Sequence, residues 1–191
     1  MPNLSHIFKR YSIKQILVRF AEEYVWWIIR SWPGFEGVYM RYLFLKCTAA
    51  RLDGFCWITR GCTIWNSYGL SIGKNFASNQ NLLIDAIGGI EIGDDVGIGP
   101  NTVMLSHGHS MLRKGDYSSE QAYRRKSIKI GSRAWIGANC FIKEGVTIGE
   151  DAVVGACSNV ITDVPNNGRV IGSPARPYTQ AMREFLTPVE R

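Results

Sequence analysis

Hydrophobic positions follow two different periods along the chain, and the period changes near Gly54. Before Gly54, apolar residues from Ile13 to Ile28 recur three or four positions apart, behind a capping-box pattern that begins at Ser12. This spacing predicts a helix over about residues 13–30, which a Pro-Gly pair at 33–34 would end. A second helix is predicted over about residues 35–51. Together they make an N-terminal helical segment over residues 1–54.

After Gly54, aliphatic residues recur every six positions. Six is a multiple of the strand period of two and does not fit the helical period, so the pattern predicts short strands whose aliphatic side chains all face one side. Three such strands close a triangular coil of about eighteen residues, and stacked coils form a parallel β-helix, predicted here over residues 55–172. The unbroken run consists of Ile130, Ile136, Ile142, Ile148, Val154 and Val160, and its spacing would stack Ile130 on Ile148, Ile136 on Val154 and Ile142 on Val160.

One polar stretch interrupts the repeat between Met104 and Ile128, and it predicts a loop excursion over residues 106–127. A loop of this length inside a compact repeat is usually functional or disordered. This one opens with His107 and His109, two of the three histidines in the chain. Residues 173–191, after the last repeat, are predicted to form a C-terminal tail.

Composition and charge narrow the functional classes. The chain has 191 residues, of which 46% are hydrophobic and 20% charged, which excludes a mainly disordered protein. The net charge of +6 is concentrated in residues 1–60, with nine Lys or Arg against four Asp or Glu, and in residues 106–130, with six against two. No uncharged apolar run is long enough to cross a bilayer, and no secretory signal pattern is present. A cytoplasmic location is expected, with the inner face of the membrane as one site within it.

The N-terminal helical segment combines aromatic and basic side chains, and this combination leaves two interpretations open. The segment could lie on an anionic membrane surface, or its apolar face could dock on the β-helix or on a neighbouring subunit. Nucleic-acid binding is disfavoured, because the aromatic residues are separated from the basic run of the loop. The residues concerned are Tyr24, Trp26, Trp27, Trp32, Lys9, Arg10, Lys14, Arg19 and Arg30.

The Ile/Val-Gly hexads, the single loop excursion and the ending Val170-Ile-Gly-Ser-Pro-Ala-Arg176 together resemble the hexapeptide-repeat acyltransferases. Within that family the chain is most similar to maltose and galactoside O-acetyltransferases and to the sugar O-acetyltransferases of polysaccharide assembly. The resemblance implies a left-handed parallel β-helix, a homotrimer, and acetyl-CoA as donor. Together with the helical segment predicted from the apolar spacing, this makes a mainly β protein with an N-terminal α-helical segment, and no metal is expected.

The resemblance also implies site residues. His109 stands ninth after Pro100, where the family has its catalytic histidine, and His107 could hold the acceptor or orient the base. Asn79 matches an acceptor-binding asparagine. Asp85 is the candidate for the aspartate that follows this asparagine in the family and is also expected to bind the acceptor, but it follows Asn79 by six residues instead of the family's seven or eight. The residues expected along the acyl-CoA groove are Trp135, Ala138, Ala156, Ile161, Thr162 and Arg176, with Ile161-Thr162 standing where relatives often have Thr-Lys.

Acetyl transfer from a thioester to a hydroxyl needs a base, and a neutral imidazole suits that role near neutral pH. The implied function is transfer of acetyl from acetyl-CoA to a sugar hydroxyl, free or on a lipid-linked or nucleotide sugar, in polysaccharide or glycoconjugate synthesis. Transfer is expected to be direct, because Cys140 occupies a core position of the repeat. Alternatives are a nucleotide-amino-sugar N-acetyltransferase, a serine acetyltransferase and an inactive β-helix scaffold. The repeat also resembles the β-helical carbonic anhydrases, which bind their metal with three histidines from neighbouring coils. Here His6 lies outside the repeats, which leaves only two histidines and disfavours metal catalysis.

Overall fold

A computed structural model of the protein describes residues 11–109 and 123–178. Parts of the predicted loop and tail therefore lie outside the described residues, and so does the side chain of His109. The described residues form a parallel β-helix preceded by a helical segment. Strand β1 (Arg51–Leu52) lies before the predicted boundary at residue 54, and the last strand (Arg176–Pro177) lies after residue 172.

The helical segment begins with α1 (Ile13–Ala21), continues through a π-helical turn (Glu22–Trp26) and α2 (Trp27–Ile29), and ends with α3 (Gly34–Thr48). The capping box is present at Ser12: its hydroxyl accepts a hydrogen bond from the Gln15 amide, and the Gln15 side chain accepts one from the Ser12 amide. Both predicted helices are confirmed. The π turn was not predicted, and α3 ends three residues before the predicted limit.

Each coil of the β-helix contributes three short strands, interrupted once by an antiparallel pair in the loop excursion. In chain order the remaining strands are β2 (Trp57–Ile58), β3 (Thr63–Trp65), β4 (Leu70–Ile72), β5 (Ala77–Ser78), β6 (Leu83–Asp85), β7 (Ile90–Ile92), β8 (Gly97–Ile98), β9 (Val103–Leu105), β10 (His107–His109), β11 (Tyr123–Arg125), β12 (Ile128–Ile130), β13 (Trp135–Ile136), β14 (Phe141–Ile142), β15 (Thr147–Ile148), β16 (Val153–Val154), β17 (Asn159–Val160), β18 (Arg169–Ile171) and β19 (Arg176–Pro177).

Corresponding strands stack into three parallel sheets, the faces of a triangular prism. Face I contains β1, β4, β7, β12 and β15; face II contains β2, β5, β8, β13, β16 and β18, with β19 antiparallel at its end; face III contains β3, β6, β9, β14 and β17. The predicted stacking is confirmed, since Ile130 pairs with Ile148, Ile136 with Val154 and Ile142 with Val160. The interior is a column of aliphatic side chains that are almost entirely buried.

The early coils are two residues longer than the later ones, which shifts the phase of the six-residue spacing from one early coil to the next. Ile72 pairs with Ile92 one coil later, whereas Ile130 pairs with Ile148. The extra residues lie at the corner between faces III and I, where Ser67–Gly69 form a short 3-10 turn. The strand that follows this corner buries two side chains instead of one, as Leu70 and Ile72 show in β4.

Glycine recurs at the corners because backbone stacks on backbone there. A Cβ built on Gly99 would lie 2.5 Å from the Ala138 nitrogen of the next coil, and a Cβ on Gly137 would lie 2.6 Å from the Ala156 nitrogen. Asparagine takes the neighbouring left-handed positions, which its short polar side chain tolerates. Asn81 and Asn101 have φ of 60° and 56°, and their side chains hydrogen-bond along the stack at 3.1 Å.

A buried arginine joins the helical segment to the first coil. The Arg41 guanidinium donates to the carbonyl oxygens of Ile58 (2.8 Å), Ile29 (2.8 Å) and Trp32 (3.0 Å). The Ile29 carbonyl belongs to the last turn of α2, where carbonyls have no partner within the helix. Burial lowers the pKa of the Arg41 guanidinium, and its carbonyl partners satisfy its donors in place of water.

Candidate functional site

The predicted residues Asp85 and His107 meet at the edge between faces III and I, called edge III–I below. Asp85 ends β6 and is 8% exposed. One carboxylate oxygen accepts hydrogen bonds from the Asn66 side-chain amide (2.7 Å) and the Ile87 amide (3.1 Å). The other oxygen lies 3.5 Å from Nδ1 of His107. The carboxylate is thus held in place and faces the imidazole.

The amide of Asn66 has a defined orientation because a tyrosine fixes it. The Tyr68 hydroxyl donates to Oδ1 of Asn66 at 2.9 Å, which leaves the Asn66 Nδ2 group directed at Asp85. Burial raises the pKa of Tyr68 to about 12, so the phenol remains a donor at physiological pH. Sequence reasoning missed Asn66 and Tyr68, because they lie in the extra turn of the corner and outside the hexads.

The loop excursion leaves the β-helix from the same edge. Strands β10 and β11 pair antiparallel, with His107 opposite Arg125 and His109 opposite Tyr123. Ser106 anchors the exit: its hydroxyl donates to the Asp85 carbonyl at 2.7 Å and accepts from the Gly88 amide at 2.8 Å. The backbone of the predicted base His109 is therefore two residues from the Asp85–His107 pair.

A glutamate that sequence reasoning missed lies against this hairpin. A Cβ built on Gly108, between the two histidines, would lie 2.9 Å from the carboxylate carbon of Glu144. The Glu144 side chain is nearly buried, and Arg124 of β11 lies 3.7 Å from its carboxylate. Glu144 lies two residues after Ile142 and therefore outside the six-residue spacing, which gave no signal for it. Its contact with the hairpin arises because β14 stacks on β9, from whose coil the hairpin leaves.

Beside the Asp85–His107 pair lies a cavity of about 280 Å³ between the helical segment and face III. Its lining combines an arginine, three carboxylates, an amide and an indole that is 46% exposed. A polar cavity with one aromatic wall suits a ring that carries hydroxyl groups. The lining residues are Arg19, Glu22, Glu23, Trp65, Asn66 and Asp85, and only Asp85 was predicted from the sequence.

Glu22 holds the helical segment at the rim of this cavity. Its carboxylate accepts hydrogen bonds from the Asn66 amide (2.9 Å), the Ser67 amide (2.6 Å) and the Ser67 hydroxyl (2.6 Å). Burial raises the pKa of Glu22, and the bonds from Ser67 and Asn66 oppose that rise. The π turn begins at Glu22, so this contact fixes where Glu23 and Arg19 stand around the cavity.

A second group of predicted residues lies on face II and on the edge between faces II and III, called edge II–III below. Trp135 points outward, as its repeat position predicts, and is 52% exposed. Its ring covers Gly97, since a Cβ on Gly97 would lie 2.6 Å from the indole. Ala138 and Ala156 follow on edge II–III of successive coils. Arg176 is exposed in β19, at the end of face II.

The predicted residues do not all come together within one chain. Asp85, His107, Ile161 and Thr162 lie at edge III–I, because Ile161 follows β17 as Asp85 ends β6 on the same face. Asn79 follows β5 on face II and therefore lies at edge II–III with Ala138 and Ala156. The structure thus groups the acceptor residues Asp85 and His107 and separates Asn79 from them.

Three further findings concern metal binding, cysteine reactivity and membrane-spanning helices. Among residues 11–109 and 123–178, no group of three His, Cys, Asp or Glu side chains is placed to hold a metal ion. Cys140 is buried in the core, and burial raises the pKa of its thiol, which disfavours the nucleophilic thiolate. Within the same described ranges, no helix combines the length and the hydropathy required to span a bilayer.

Comparison with known proteins identifies the repeat and the fold. The family model of the bacterial transferase hexapeptide (six repeats) matches residues 127–162. A hexapeptide-repeat acetyltransferase from Vibrio cholerae O1 biovar eltor, solved in complex with acetyl coenzyme A, has a TM-score of 0.79 and 28% identity over 94% of this chain and 98% of that chain. The predicted resemblance to hexapeptide-repeat acyltransferases and the predicted left-handed β-helix are both confirmed.

Two relatives by sequence are named for O-acetyl transfer. The chain is 40% identical over 119 residues to the galactoside O-acetyltransferase of Escherichia coli (strain K12). The match covers 59% of this chain and 56% of that protein. It is 27% identical over 144 residues to the putative lipopolysaccharide biosynthesis O-acetyl transferase WbbJ of the same strain, over 60% of this chain and 74% of that protein. The match thus spans little more than half the length of the galactoside protein.

Proposed function

We propose that this chain, whose hexapeptide repeat and left-handed β-helix resemble those of acyltransferases, transfers acetyl from acetyl-CoA to a hydroxyl group of a sugar. The observation that carries the proposal is the Asp85–His107 pair, which stands where the histidine-bearing loop leaves the coil and borders a polar cavity with one aromatic wall. The similarity to a protein named for lipopolysaccharide biosynthesis supports an acceptor used in polysaccharide or glycoconjugate assembly.

In the proposed reaction His109 acts as general base. Its neutral imidazole takes the proton of the acceptor hydroxyl while the hydroxyl oxygen attacks the thioester carbonyl, which forms the new C–O bond and an oxyanion. The oxyanion then collapses, the C–S bond breaks, and the departing CoA sulfur receives the proton from the imidazolium. The position of His109 in the family pattern supports this role, and the buried Cys140 supports direct transfer.

The acceptor is proposed to occupy the cavity beside Asp85. The indole of Trp65 offers a flat surface for a sugar ring, and the Asp85 and Glu23 carboxylates can accept hydrogen bonds from ring hydroxyls. His107, held 3.5 Å from Asp85, is proposed to bind an acceptor hydroxyl next to the one that reacts. Asn79 is proposed to contact the acceptor from edge II–III of a neighbouring subunit.

Acetyl-CoA is proposed to lie along edge II–III against Trp135, Ala138 and Ala156, with Arg176 near its phosphates. Ile161 and Thr162, on edge III–I, would reach the same ligand only from another copy of the chain. A homotrimer in which edge II–III of one subunit faces edge III–I of the next would bring both groups together, and we propose that arrangement. The donor is used as a co-substrate, with no metal in the reaction.

The test measures thiol release from acetyl-CoA by the purified protein with a panel of galactosides, maltose, nucleotide sugars, nucleotide amino sugars and serine. We expect release with a sugar hydroxyl, a loss of about 10²–10⁴-fold in kcat for His109→Ala, and a smaller effect, mainly on acceptor KM, for His107→Ala. Near-normal turnover by His109→Ala would refute the assigned base. Release with amino sugars or serine alone would refute O-transfer to sugars, and no release with any acceptor would favour the inactive scaffold.

A further inference from the structure

An apolar stripe runs along the outward side of the continuous helical run formed by α1, the π turn and α2. Its members recur at helical spacing, and each is between 58% and 75% exposed. Phe20 and Tyr24 also pack on each other, with ring centroids 4.5 Å apart. We call this surface the stripe, and it consists of Ile13, Leu17, Phe20, Tyr24, Trp27 and Ile28.

The opposite side of the same helix is already in contact with the β-helix. Val18, Glu22, Trp26 and Ile29 are buried there, the Trp26 indole donates to the Cys62 carbonyl at 3.0 Å, and Glu22 binds Asn66 and Ser67. A helix on a protein surface normally turns its polar side to water. This one carries apolar side chains outward as well as inward, and the inward side is held by the hydrogen bonds of Trp26 and Glu22. Rotating the helix to bury the stripe would break these contacts.

The charge near the stripe favours an anionic partner. Lys9, Arg10, Lys14 and Arg19 precede Glu22, the first acidic residue of the chain. Residues 1–30 carry five Lys or Arg against two Asp or Glu. A second copy of the chain carries the same positive charge, whereas an anionic lipid surface would attract it.

The side chains of the stripe also suit the depth of a lipid interface. Ile13 and Leu17 are aliphatic, while Tyr24 and Trp27 combine an apolar ring with a polar group, the pattern found at headgroup depth. We propose that the stripe lies in the boundary between headgroups and acyl chains of an anionic bilayer, with α1, the π turn and α2 parallel to the membrane surface. The described helices cannot span a bilayer, so this contact is peripheral.

The lipid contact stands on the helix alone and does not depend on the proposed reaction. The consequence of the lipid contact for the cavity does depend on the proposed reaction. Arg19, Glu22 and Glu23 line the cavity beside Asp85 and belong to the same helical run. A membrane-bound helix would hold that cavity close to the headgroups. An acceptor sugar carried on a lipid would then reach the cavity without leaving the membrane surface.

The test is co-sedimentation of the full chain with vesicles of phosphatidylcholine containing phosphatidylglycerol and with vesicles of phosphatidylcholine alone. We expect binding to the anionic vesicles that weakens as salt is raised, and partitioning about a hundredfold weaker for Leu17→Ser/Trp27→Ser. The matched control is Tyr39→Ser/Met40→Ser, which removes two exposed apolar side chains from α3 and should bind as the wild type does. Quenching by brominated lipid should fall when Trp27 is replaced in Trp27→Phe.

Three outcomes would overturn the proposal. The wild-type chain could fail to sediment with anionic vesicles, or the stripe variant could sediment as well as the control variant. A third outcome is a change in molar mass of the stripe variant by light scattering with unchanged vesicle binding, which would make the stripe a contact between copies. Acetyl transfer to a soluble sugar, measured in parallel, separates these outcomes from a failure of the proposed enzymatic function.

Discussion

Asp85 illustrates how a corner changes the meaning of residue spacing. In a continuous strand, a side chain next to the inward Ile84 would point to solvent. The strand ends at Asp85, however, and both residues are buried because the chain turns there and Asn66 and Ile87 hydrogen-bond to the carboxylate. Asp85 therefore lies beside His107, even though it follows Asn79 by six residues instead of the seven or eight usual in the family.

We predict that Asp85→Asn raises the KM for the acceptor about tenfold and leaves the KM for acetyl-CoA unchanged. Asparagine can still accept from Asn66 and Ile87 through its carbonyl oxygen, but it offers no charge to His107 or to the acceptor. Steady-state kinetics with each substrate varied in turn checks this. Asp95→Asn, which alters an exposed corner carboxylate bound to Asn75, is the control. An equal rise in both KM values would contradict a specific role at the acceptor.

Among elements, the first helix shows what periodicity could and could not predict. The apolar spacing from Ile13 to Ile28 predicted the helix correctly, and the hexads predicted the coils, because both patterns are local. Of the aromatic residues named from the sequence, Trp26 does contact the β-helix, whereas Tyr24 and Trp27 stay exposed. The second contact is made by Glu22, which the apolar spacing did not indicate. The partners of Glu22 and Trp26, which are Ser67 and Cys62, are distant in sequence and leave no periodic signal. The cavity that depends on this docking was unpredictable for the same reason.

The buried Glu22 predicts a pH dependence of stability. Because burial raises its pKa above the ordinary value of 4.5, the folded protein holds this proton more tightly than the unfolded chain does. The contribution of Glu22 to the free energy of unfolding should therefore be largest below pH 4.5 and decline as pH rises through the folded-state pKa. Urea unfolding at several pH values should show the wild type losing stability relative to Glu22→Gln as pH rises. The exposed neighbour offers a control in Glu23→Gln, and an opposite slope would contradict the prediction.

The glycine under Trp135 predicts the behaviour of face II. In Gly97→Val the new side chain would meet the indole 2.6 Å from its Cβ and displace the ring, so the KM for acetyl-CoA should rise about tenfold while the coil stays folded. Ala77→Val places the same side chain one coil earlier on the same face, where the residue is exposed. Circular dichroism and kinetics of both variants check this. Equal KM values in the two variants would argue against a role of Trp135 in donor binding.

At the scale of the whole molecule, the triangular cross-section separates the candidate residues. The hexads predict that a residue repeats its position from coil to coil, as Ile136 and Val154 do. They do not indicate which corners carry the chemistry, because that depends on where the first strand begins and where the loop leaves. In the structure the loop leaves at edge III–I, while Trp135, Ala138 and Ala156 lie on face II and edge II–III. We propose that one ligand contacts both groups across a boundary between two copies of the chain.

This separation predicts complementation between two inactive variants. Ala156→Trp would block the donor groove at the exposed corner of edge II–III, and His109→Ala would remove the base from the loop at edge III–I. If each site combines these two edges from neighbouring subunits, trimers assembled from an equal mixture of the variants contain both intact edges at about a quarter of their sites. Co-expressed variants should therefore regain about a quarter of wild-type thiol release, whereas separately purified variants mixed without subunit exchange should remain inactive. Activity of the co-expressed mixture no higher than that of either variant would place all groups of a site within one chain.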